Sequence, residues 1–166
     1  SLIIPKKAIS EIQKLFFDKI EIYYDDTTLI AQSANFEFFT KLINGRFPDY
    51  NRVIPQEIKR RLRLSRDKMI EGIKTVSIIS ESTKIVFAPQ TISFESIVED
   101  NSEAKTTIEF ATGLEEEIYV GVKNRYLLDF LQSIEEEHFE FGFNDSNLAF
   151  TVSSNELKTV IMPINL

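Results

Sequence analysis

The feature that most constrains the fold is a repeat of one strand, one amphipathic helix and three further strands, which occurs three times along the chain. Each repeat takes about 50–55 residues, a length typical of a reused supersecondary unit. Within each repeat, apolar residues three and four positions apart mark the helix. The three helices are predicted at about Lys6–Phe17, from Ser65 as N-cap to about Ile79, and at about Lys123–Ile134.

The strands are predicted from alternating apolar and polar residues and from the turn residues between them. They are expected at Ser1–Ile4, Lys19–Tyr24, Thr28–Ser33 and Phe36–Ile43, then at Glu57–Leu64, Lys84–Ala88, Thr91–Val98 and Lys105–Ala111, and finally at Glu116–Val122, His138–Phe143, Leu148–Val152 and Leu157–Met162. A polar loop is expected at Glu99–Glu103.

Each helix has an apolar face that should be buried. The predicted faces are Ile9, Ile12, Leu15 and Phe16 in the first helix, Met69, Ile70, Ile73 and Val76 in the second, and Tyr126, Leu127, Phe130, Leu131 and Ile134 in the third. Two successive repeats should form one domain, with two helices side by side against antiparallel sheets. The fold class is therefore α+β. Three repeats predict one complete domain preceded by half of another, so we expect the chain to be a fragment of a longer protein.

The stretch Gly45–Pro55 separates the first repeat from the second and cannot be regular structure. Pro48 and Pro55 lack the amide donor that a helix or a sheet requires. The large apolar side chains between them are unlike those of a solvated linker. We therefore predict a packed crossing between two domains, of a kind that often carries a binding surface. The predicted domains are 1–52 and 53–166.

Composition excludes several classes of function. The 166 residues include no cysteine, which removes disulfides, thiolate chemistry and cysteine-bound metals and fits a cytoplasmic protein. No apolar run approaches the roughly 20 residues of a membrane-spanning helix. The net charge of −7 argues against tight binding of nucleic acid, because that affinity comes from Lys and Arg. The distribution of charge matters more than its sum, and basic residues gather locally in Lys6–Lys7, Lys59–Lys68 and Lys123–Arg125.

The sequence offers no convincing catalytic centre. His138 is the sole histidine and has no triad order around it. The acidic runs Asp25–Asp26 and Glu115–Glu117 lack the spacing of a calcium loop, and adjacent carboxylates are usually solvated. We therefore predict a protein that is not an enzyme and has no cofactor or metal. Two alternatives remain open: an α+β ligand-binding or structural domain without a DNA role, and a metal-dependent nuclease that uses the acidic groups.

Two segments carry a family resemblance. Leu42–Tyr50 followed by Arg52–Pro55 resembles the signature segment of the bacterial DNA sliding clamp, the beta subunit of DNA polymerase III. Val160–Leu166 resembles the C-terminus of that family. The resemblance covers the back half of the family's middle domain and all of its third domain. It implies the DNA clamp fold and a processivity factor, which forms a homodimeric ring as the full-length protein and encircles duplex DNA without sequence preference.

The resemblance also implies three sets of functional residues. A hydrophobic cleft for short linear motifs of replicative and repair polymerases and of the clamp loader would use Pro48, Arg52, Val53, Tyr126, Asn147, Ala149, Val160, Met162, Pro163 and Ile164. The DNA-facing residues would be Lys6, Lys7, Lys14, Lys68, Lys74 and Arg125. The subunit interface would use Ile78 and Ile79, with Glu99, Asp100 and Glu103 as acidic neighbours.

Each set also has an ordinary structural explanation. The basic residues could simply keep helix surfaces hydrated, and the apolar ones could be core or terminal residues. Asn147 and Ile164 depart from the apolar residue and the methionine that many family members have at these positions.

Overall fold

The computed structural model describes residues 2–97 and 104–166. It divides into two compact units, Ser1–Asp49 and Tyr50–Leu166, which we call unit 1 and unit 2. The predicted loop Glu99–Glu103, with its acidic residues, lies outside the described residues.

Unit 1 contains one helix, α1 (Lys6–Leu15), followed by the strands β1 (Glu21–Tyr24), β2 (Thr28–Gln32) and β3 (Glu37–Lys41). The strands form an antiparallel sheet in the order β1-β2-β3. Asp25 closes the first hairpin, because its carboxylate accepts hydrogen bonds from the backbone amides of Thr27 and Thr28, both at 2.7 Å.

The predicted strand Ser1–Ile4 is wrong for its described residues, since residues 2–4 are not in a strand. One backbone bond, from Ile43 N to Ile3 O at 2.9 Å, ties this stretch to the chain after β3. A single bond does not make a ladder, and Pro5 offers no donor to extend it. A short apolar run is therefore not sufficient to form a strand at this position.

Unit 2 begins with a short 3-10 turn, Tyr50–Arg52, and then contains the other two repeats. The second repeat consists of β4 (Arg60–Ser65), α2 (Arg66–Ser77), β5 (Ser82–Phe87), β6 (Thr91–Ser96) and β7 (Lys105–Glu109). The third consists of β8 (Ile118–Lys123), α3 (Asn124–Ser133), β9 (His138–Phe143), β10 (Phe150–Ser154) and β11 (Leu157–Ile161). The predicted elements are thus present, with boundaries shifted by a few residues.

The two repeats of unit 2 exchange their first strands. One sheet has the order β11-β10-β9-β4 and the other β7-β6-β5-β8. Strand β4 of the second repeat pairs antiparallel with β9 of the third, with Leu62 opposite Phe141. Strand β8 of the third repeat pairs with β5 of the second, with Ile85 opposite Val120. Each sheet therefore contains strands of both repeats.

The start of each unit 2 helix is fixed in the same way. Arg66 N, at the start of α2, donates to Glu137 O at 2.9 Å, and Asn124 N, at the start of α3, donates to Glu81 O at 2.9 Å. Ser65 occupies the predicted N-cap position, but its hydroxyl makes no capping bond to a described residue. The helix starts are thus held by the residue that precedes the first hairpin strand of the other repeat.

A single aromatic core joins the two repeats. Phe141 stacks on Phe150 with ring centroids 4.8 Å apart and lies 5.1 Å from Phe87, and Phe87 stacks on Phe143 at 5.4 Å. All four rings are fully buried. Phe87 comes from the second repeat and the other three from the third, so neither repeat could bury these rings without the other.

The face predicted to be buried in α1 is wrong, since Ile9 and Leu15 are exposed and Ile12 and Phe16 are only half-buried. The helix faces of unit 2 agree with prediction except at one position. Met69, Ile73 and Val76 of α2 and Leu127, Phe130, Leu131 and Ile134 at α3 are buried. The prediction that Tyr126 is buried is wrong, since its side chain is 54% exposed. It lies one residue ahead of Leu127 on a ten-residue helix, where the helix surface turns from the core toward solvent.

Candidate functional site

A pocket of about 540 Å³ lies between α3 and β11 in unit 2. Its lining residues are Tyr126, Asp129, Phe130 and Ser133 of α3, and Leu157, Thr159, Val160, Ile161 and Met162 at β11. The α3 residues recur at intervals of three and four, so they lie on one helix face. The pocket is therefore formed where one face of a helix meets the last strand of the sheet.

The pocket combines a buried floor with an exposed apolar rim. Phe130 and Ile161 are almost fully buried. Tyr126 is 54% and Met162 is 61% exposed. Large apolar side chains with this much exposure on two sides of one concavity suit an apolar ligand group, because its burial there removes water from both surfaces.

Two of the polar side chains that line the pocket, Asp129 and Ser133, have partners on α3. The Asp129 carboxylate lies 3.6 Å from Arg125 Nε, one turn earlier on α3. The Ser133 hydroxyl donates to Phe130 O at 2.7 Å. The Tyr126 ring offers an apolar face with a polar tip, which can meet both kinds of ligand atom. The pocket therefore offers mainly apolar contact, with limited polar selection.

Three of the predicted cleft residues line this pocket together: Tyr126, Val160 and Met162. Pro163 and Ile164 continue the chain beyond it, and Ile164 N donates to Gly121 O on β8 at 2.9 Å. These two residues are half-buried.

The remaining predicted cleft residues lie outside the lining of this pocket. Asn147 is exposed and Ala149 half-buried in the loop between β9 and β10. Arg52 and Val53 lie at the 3-10 turn, where Val53 N donates to Tyr50 O at 3.1 Å. Pro48 is exposed near the end of unit 1.

Six lining residues were not predicted from the sequence: Asp129, Phe130, Ser133, Leu157, Thr159 and Ile161. A signal for half of them was present, because stepping three, four and seven positions from Tyr126 reaches Asp129, Phe130 and Ser133. The β11 residues needed the structure, since their position opposite α3 depends on the packing of the sheet.

The predicted DNA-facing residues are all exposed on helices. Lys6, Lys7 and Lys14 lie on α1, Lys68 and Lys74 on α2, and Arg125 on α3. Within unit 2 the helices α2 and α3 pack against each other, so their three basic side chains belong to one helical layer. Acidic neighbours temper the charge, since Lys14 lies 3.0 Å from Glu11 and Arg125 pairs with Asp129.

The predicted interface pair follows α2. Ile78 is 83% and Ile79 is 43% exposed. Side chains of this kind are apolar surface that a protein partner could cover.

A second, charged groove crosses β4 and β9 and contains His138. Arg61 forms an ion pair with Glu140 there. The pKa of Glu136 is held below its usual value by a hydrogen bond from its own backbone amide and by the Ser154 hydroxyl at 3.0 Å.

The described residues contain no group of three or more acidic or histidine side chains placed to hold a metal ion. No helix in the described ranges is long and apolar enough to cross a membrane.

Comparison with known proteins decides the family. Residues 51–165 match the family described as DNA polymerase III beta subunit, C-terminal domain, and residues 1–49 match the central domain of the same subunit. The chain belongs to the DNA polymerase III beta subunit family. The predicted family and the predicted α+β clamp fold are thereby confirmed.

Individual relatives agree with this family. The beta sliding clamp of Helicobacter pylori strain J99 is 31% identical over 179 residues, which cover 100% of this chain and 48% of the relative. The beta sliding clamp of Chlamydia muridarum is 29% identical and matches over 99% of this chain and 46% of its own length. The chain thus spans about half the length of the curated relatives it matches.

Solved structures of beta clamps share the fold. The Helicobacter pylori beta clamp bound to a DNA ligase peptide has a TM-score of 0.88 and 29% identity, over 98% of this chain and 45% of that one. A sliding clamp from Bartonella birtlesii bound to griselimycin has a TM-score of 0.89 and 26% identity, over 99% of this chain and 47% of that one. Two clamps of this fold therefore hold a peptide or another bound molecule.

Proposed function

We propose that this chain supplies the partner-binding pocket of a bacterial sliding clamp, the processivity factor of the replicative DNA polymerase. The observation that carries the proposal is the meeting of Tyr126, Val160 and Met162 around one apolar pocket. In the clamp family, a Helicobacter pylori relative is bound to a DNA ligase peptide. A short segment with one or two apolar anchors would bury them against the Phe130 floor, and the methionine would adapt to different anchors.

Binding of this kind suits a clamp that serves several partners in turn. A pocket of a few apolar contacts concentrates the affinity in a few anchor residues and leaves the rest of the partner free. Replicative and repair polymerases and the clamp loader could then compete for one site through short linear motifs. The proposed role is tethering, without catalysis, in the cytoplasm.

The DNA side of the proposal rests on the helices. Exposed Lys and Arg on α1, α2 and α3 would face the phosphates of duplex DNA, and the acidic neighbours on the same helices would keep the attraction weak. Weak, sequence-independent attraction lets a ring slide. In the full-length protein, Ile78 and Ile79 would contribute to the contact between two subunits, and the closed ring would hold DNA topologically.

The pocket is tested by titrating a labelled DNA ligase peptide into the protein and into Tyr126→Ala and Met162→Ala. Each substitution should weaken binding by about tenfold, because each removes an exposed apolar wall that the anchor covers. Tyr24→Ala is the matched control, since Tyr24 is 65% exposed on β1 of unit 1. Equal affinity of all four proteins would refute the proposed pocket.

Sliding requires the full-length protein. The loaded clamp should remain on closed circular DNA and be lost when the DNA is cut once. Retention on linear DNA would point to chemical affinity in place of topological linkage.

A further inference from the structure

The last residues of the chain, Pro163–Leu166, are here called the tail, which approaches strand β8 through Ile164 and Leu166. Strand β8 is the edge strand of its sheet, with β5 on its inner side and Gly121 opposite Lys84. On the outer side, Gly121 O accepts a hydrogen bond from Ile164 N at 2.9 Å. The tail therefore extends the sheet edge at one point, and Gly121 is that point.

Glycine is the only residue type that lets the tail come this close to β8 at position 121. A Cβ atom at this position would lie 2.7 Å from Ile164 O, 2.8 Å from Ile164 Cγ1 and 3.2 Å from Leu166 Cδ2. Side-chain atoms do not come that close to a backbone oxygen, so any other residue would push the tail away. The tail cannot adjust by rotating a side chain, because the closest atom belongs to its backbone.

The contact affects the pocket, because the pocket residue Met162 lies two residues before Ile164. Ile161 is fixed in β11, opposite Phe150, and is 3% exposed. Ile164 is fixed on β8. Between these two anchored positions lie Met162 and Pro163, and the proline ring restricts its own backbone further. Met162 is therefore held from both sides although its side chain is 61% exposed.

We propose that Gly121 is a positioning residue for the peptide pocket: by admitting the tail to β8, it fixes the backbone at Met162 and so preforms one pocket wall. This inference rests on the proposed function of the pocket. Gly121 is absent from the residues that line the pocket, so it acts through the tail. A preformed pocket wall binds a peptide more tightly than a wall that the peptide must order, because the entropy of ordering is then not lost on binding.

The two methionines of the chain provide the test. Met69 is 1% exposed in the core, and Met162 lies in the pocket. With both ε-methyl groups labelled with ¹³C, the Met162 resonance reports the pocket that Met162 lines together with Tyr126, and the Met69 resonance reports the core. In Gly121→Ala without peptide, the Met162 resonance should move toward the free-methionine position and sharpen, while Met69 stays. Affinity for the DNA ligase peptide should fall by about tenfold.

Gly142→Ala is the matched control. A Cβ atom at Gly142 on β9 would lie 2.8 Å from Thr151 Oγ1 and 2.9 Å from Ile58 Cγ2, so the crowding is similar but involves side chains away from the tail. This variant should leave the Met162 resonance and the peptide affinity as in the parent protein. A shift of Met162 in Gly142→Ala equal to that in Gly121→Ala would overturn the assignment, because any strained strand would then disturb the pocket.

A second variant keeps the test decisive if Gly121→Ala unfolds, which loss of the dispersed Met69 resonance would reveal. Ile164→Pro removes the amide that donates to Gly121 O and leaves β8 unchanged. It should produce the same Met162 shift in the free protein. Unchanged Met162 resonances in the folded variants, or shifted resonances with unchanged peptide affinity, would overturn the proposal. Failure of the parent protein to bind peptide would refute the proposed function instead, and the free-protein spectra would still decide the tail contact.

Discussion

Unit 1 and unit 2 are built from the same repeat but differ in how completely they bury their apolar side chains. In the described part of unit 1, the buried hydrophobic residues are Ala8, Leu29 and Ala31. Phe17 and Phe39 are 89% and 71% exposed there. Unit 2 buries five phenylalanines completely. In unit 2, two repeats bury these rings together, with Phe87 of one repeat packed against Phe141 and Phe143 of the other.

The comparison shows what the second repeat contributes. In unit 2 each sheet gains a fourth strand from the other repeat, and the aromatic core is shared between them. Among the described residues, the sheet of unit 1 contains only its own three strands. A single repeat has one helix and one sheet face, and this is too little surface to enclose a core. If stability follows this division, substitutions in the closely packed core of unit 2 should cost more than substitutions in unit 1.

The largest difference is expected between two phenylalanines. Phe141→Ala in unit 2 should lower the free energy of unfolding by about 3–5 kcal/mol, because it leaves a cavity in a closely packed core. Phe39→Ala in unit 1 should change it by less than about 0.5 kcal/mol, because the ring is mostly in water. Urea unfolding followed by circular dichroism measures both. Similar losses in the two variants would break the comparison.

A smaller loss is expected from the buried amide that joins β5 to α3. Asn124 Nδ2 donates to Ser80 O at 2.8 Å, and its Oδ1 accepts from Thr83 Oγ1 at 2.7 Å. Asn124→Ala should cost about 1–3 kcal/mol, because the fully buried Thr83 hydroxyl is left without this partner. Adding Thr83→Val to Asn124→Ala should recover part of the loss in the same urea experiment. A double variant as unstable as the sum of the two single variants would show that the bond does not couple the strand to the helix.

The seating of α2 on its sheet is tested at Gly72. Alanine usually stabilises a helix interior by about 1 kcal/mol relative to glycine. At Gly72 an added Cβ would lie 2.4 Å from Phe94 Cε2, so the ring would have to move within a full core. Gly72→Ala should therefore be destabilising by about 1 kcal/mol after the helix preference is counted. The control Thr75→Ala, on the exposed side of α2, should be neutral or slightly stabilising, and a stabilising Gly72→Ala would mean that this packing is loose.

The smallest effects concern two carboxylates whose pKa values are lowered. In unit 2, the hydrogen bond from Lys105 Nζ at 2.6 Å is the main cause for Glu95, with Lys84 Nζ at 3.3 Å adding to it and burial opposing both. In unit 1, the backbone amides of Thr27 and Thr28 lower the pKa of the exposed Asp25.

A lowered pKa in the folded state means that the unfolded chain binds protons first as the pH falls. The contribution of Glu95 to the free energy of unfolding is therefore complete above the ordinary pKa of glutamate. It is lost as the pH falls through the pKa of Glu95 in the folded state. Glu95→Gln should lower the melting temperature slightly at neutral pH, and this difference should shrink in acid. Asp25→Asn should show a weaker pH dependence, since Asp25 is fully solvated and asparagine can accept the same turn bonds. A stronger dependence for Asp25 would reverse the comparison of the two units.

The sequence by itself determined the local elements and the family. Helical and alternating periodicity, turn residues and proline positions act within a few residues, so the three helices and most hairpin strands could be predicted, and the segments Leu42–Pro55 and Val160–Leu166 indicated the clamp family. Of the pocket, sequence reasoning supplied Tyr126, Val160 and Met162 through the family resemblance.

Only the tertiary structure decided which strands pair and what completes the pocket. Backbone hydrogen bonds are the same for every residue, so no local pattern states that β4 joins β9 and β8 joins β5. Local patterns also failed to predict two other features. The apolar residues 2–4 do not pair in a ladder, and the Tyr126 side chain on α3 points toward solvent. The approach of Ile164 to Gly121 joins residues far apart in the chain, and their spacing is set by the packing of the whole of unit 2.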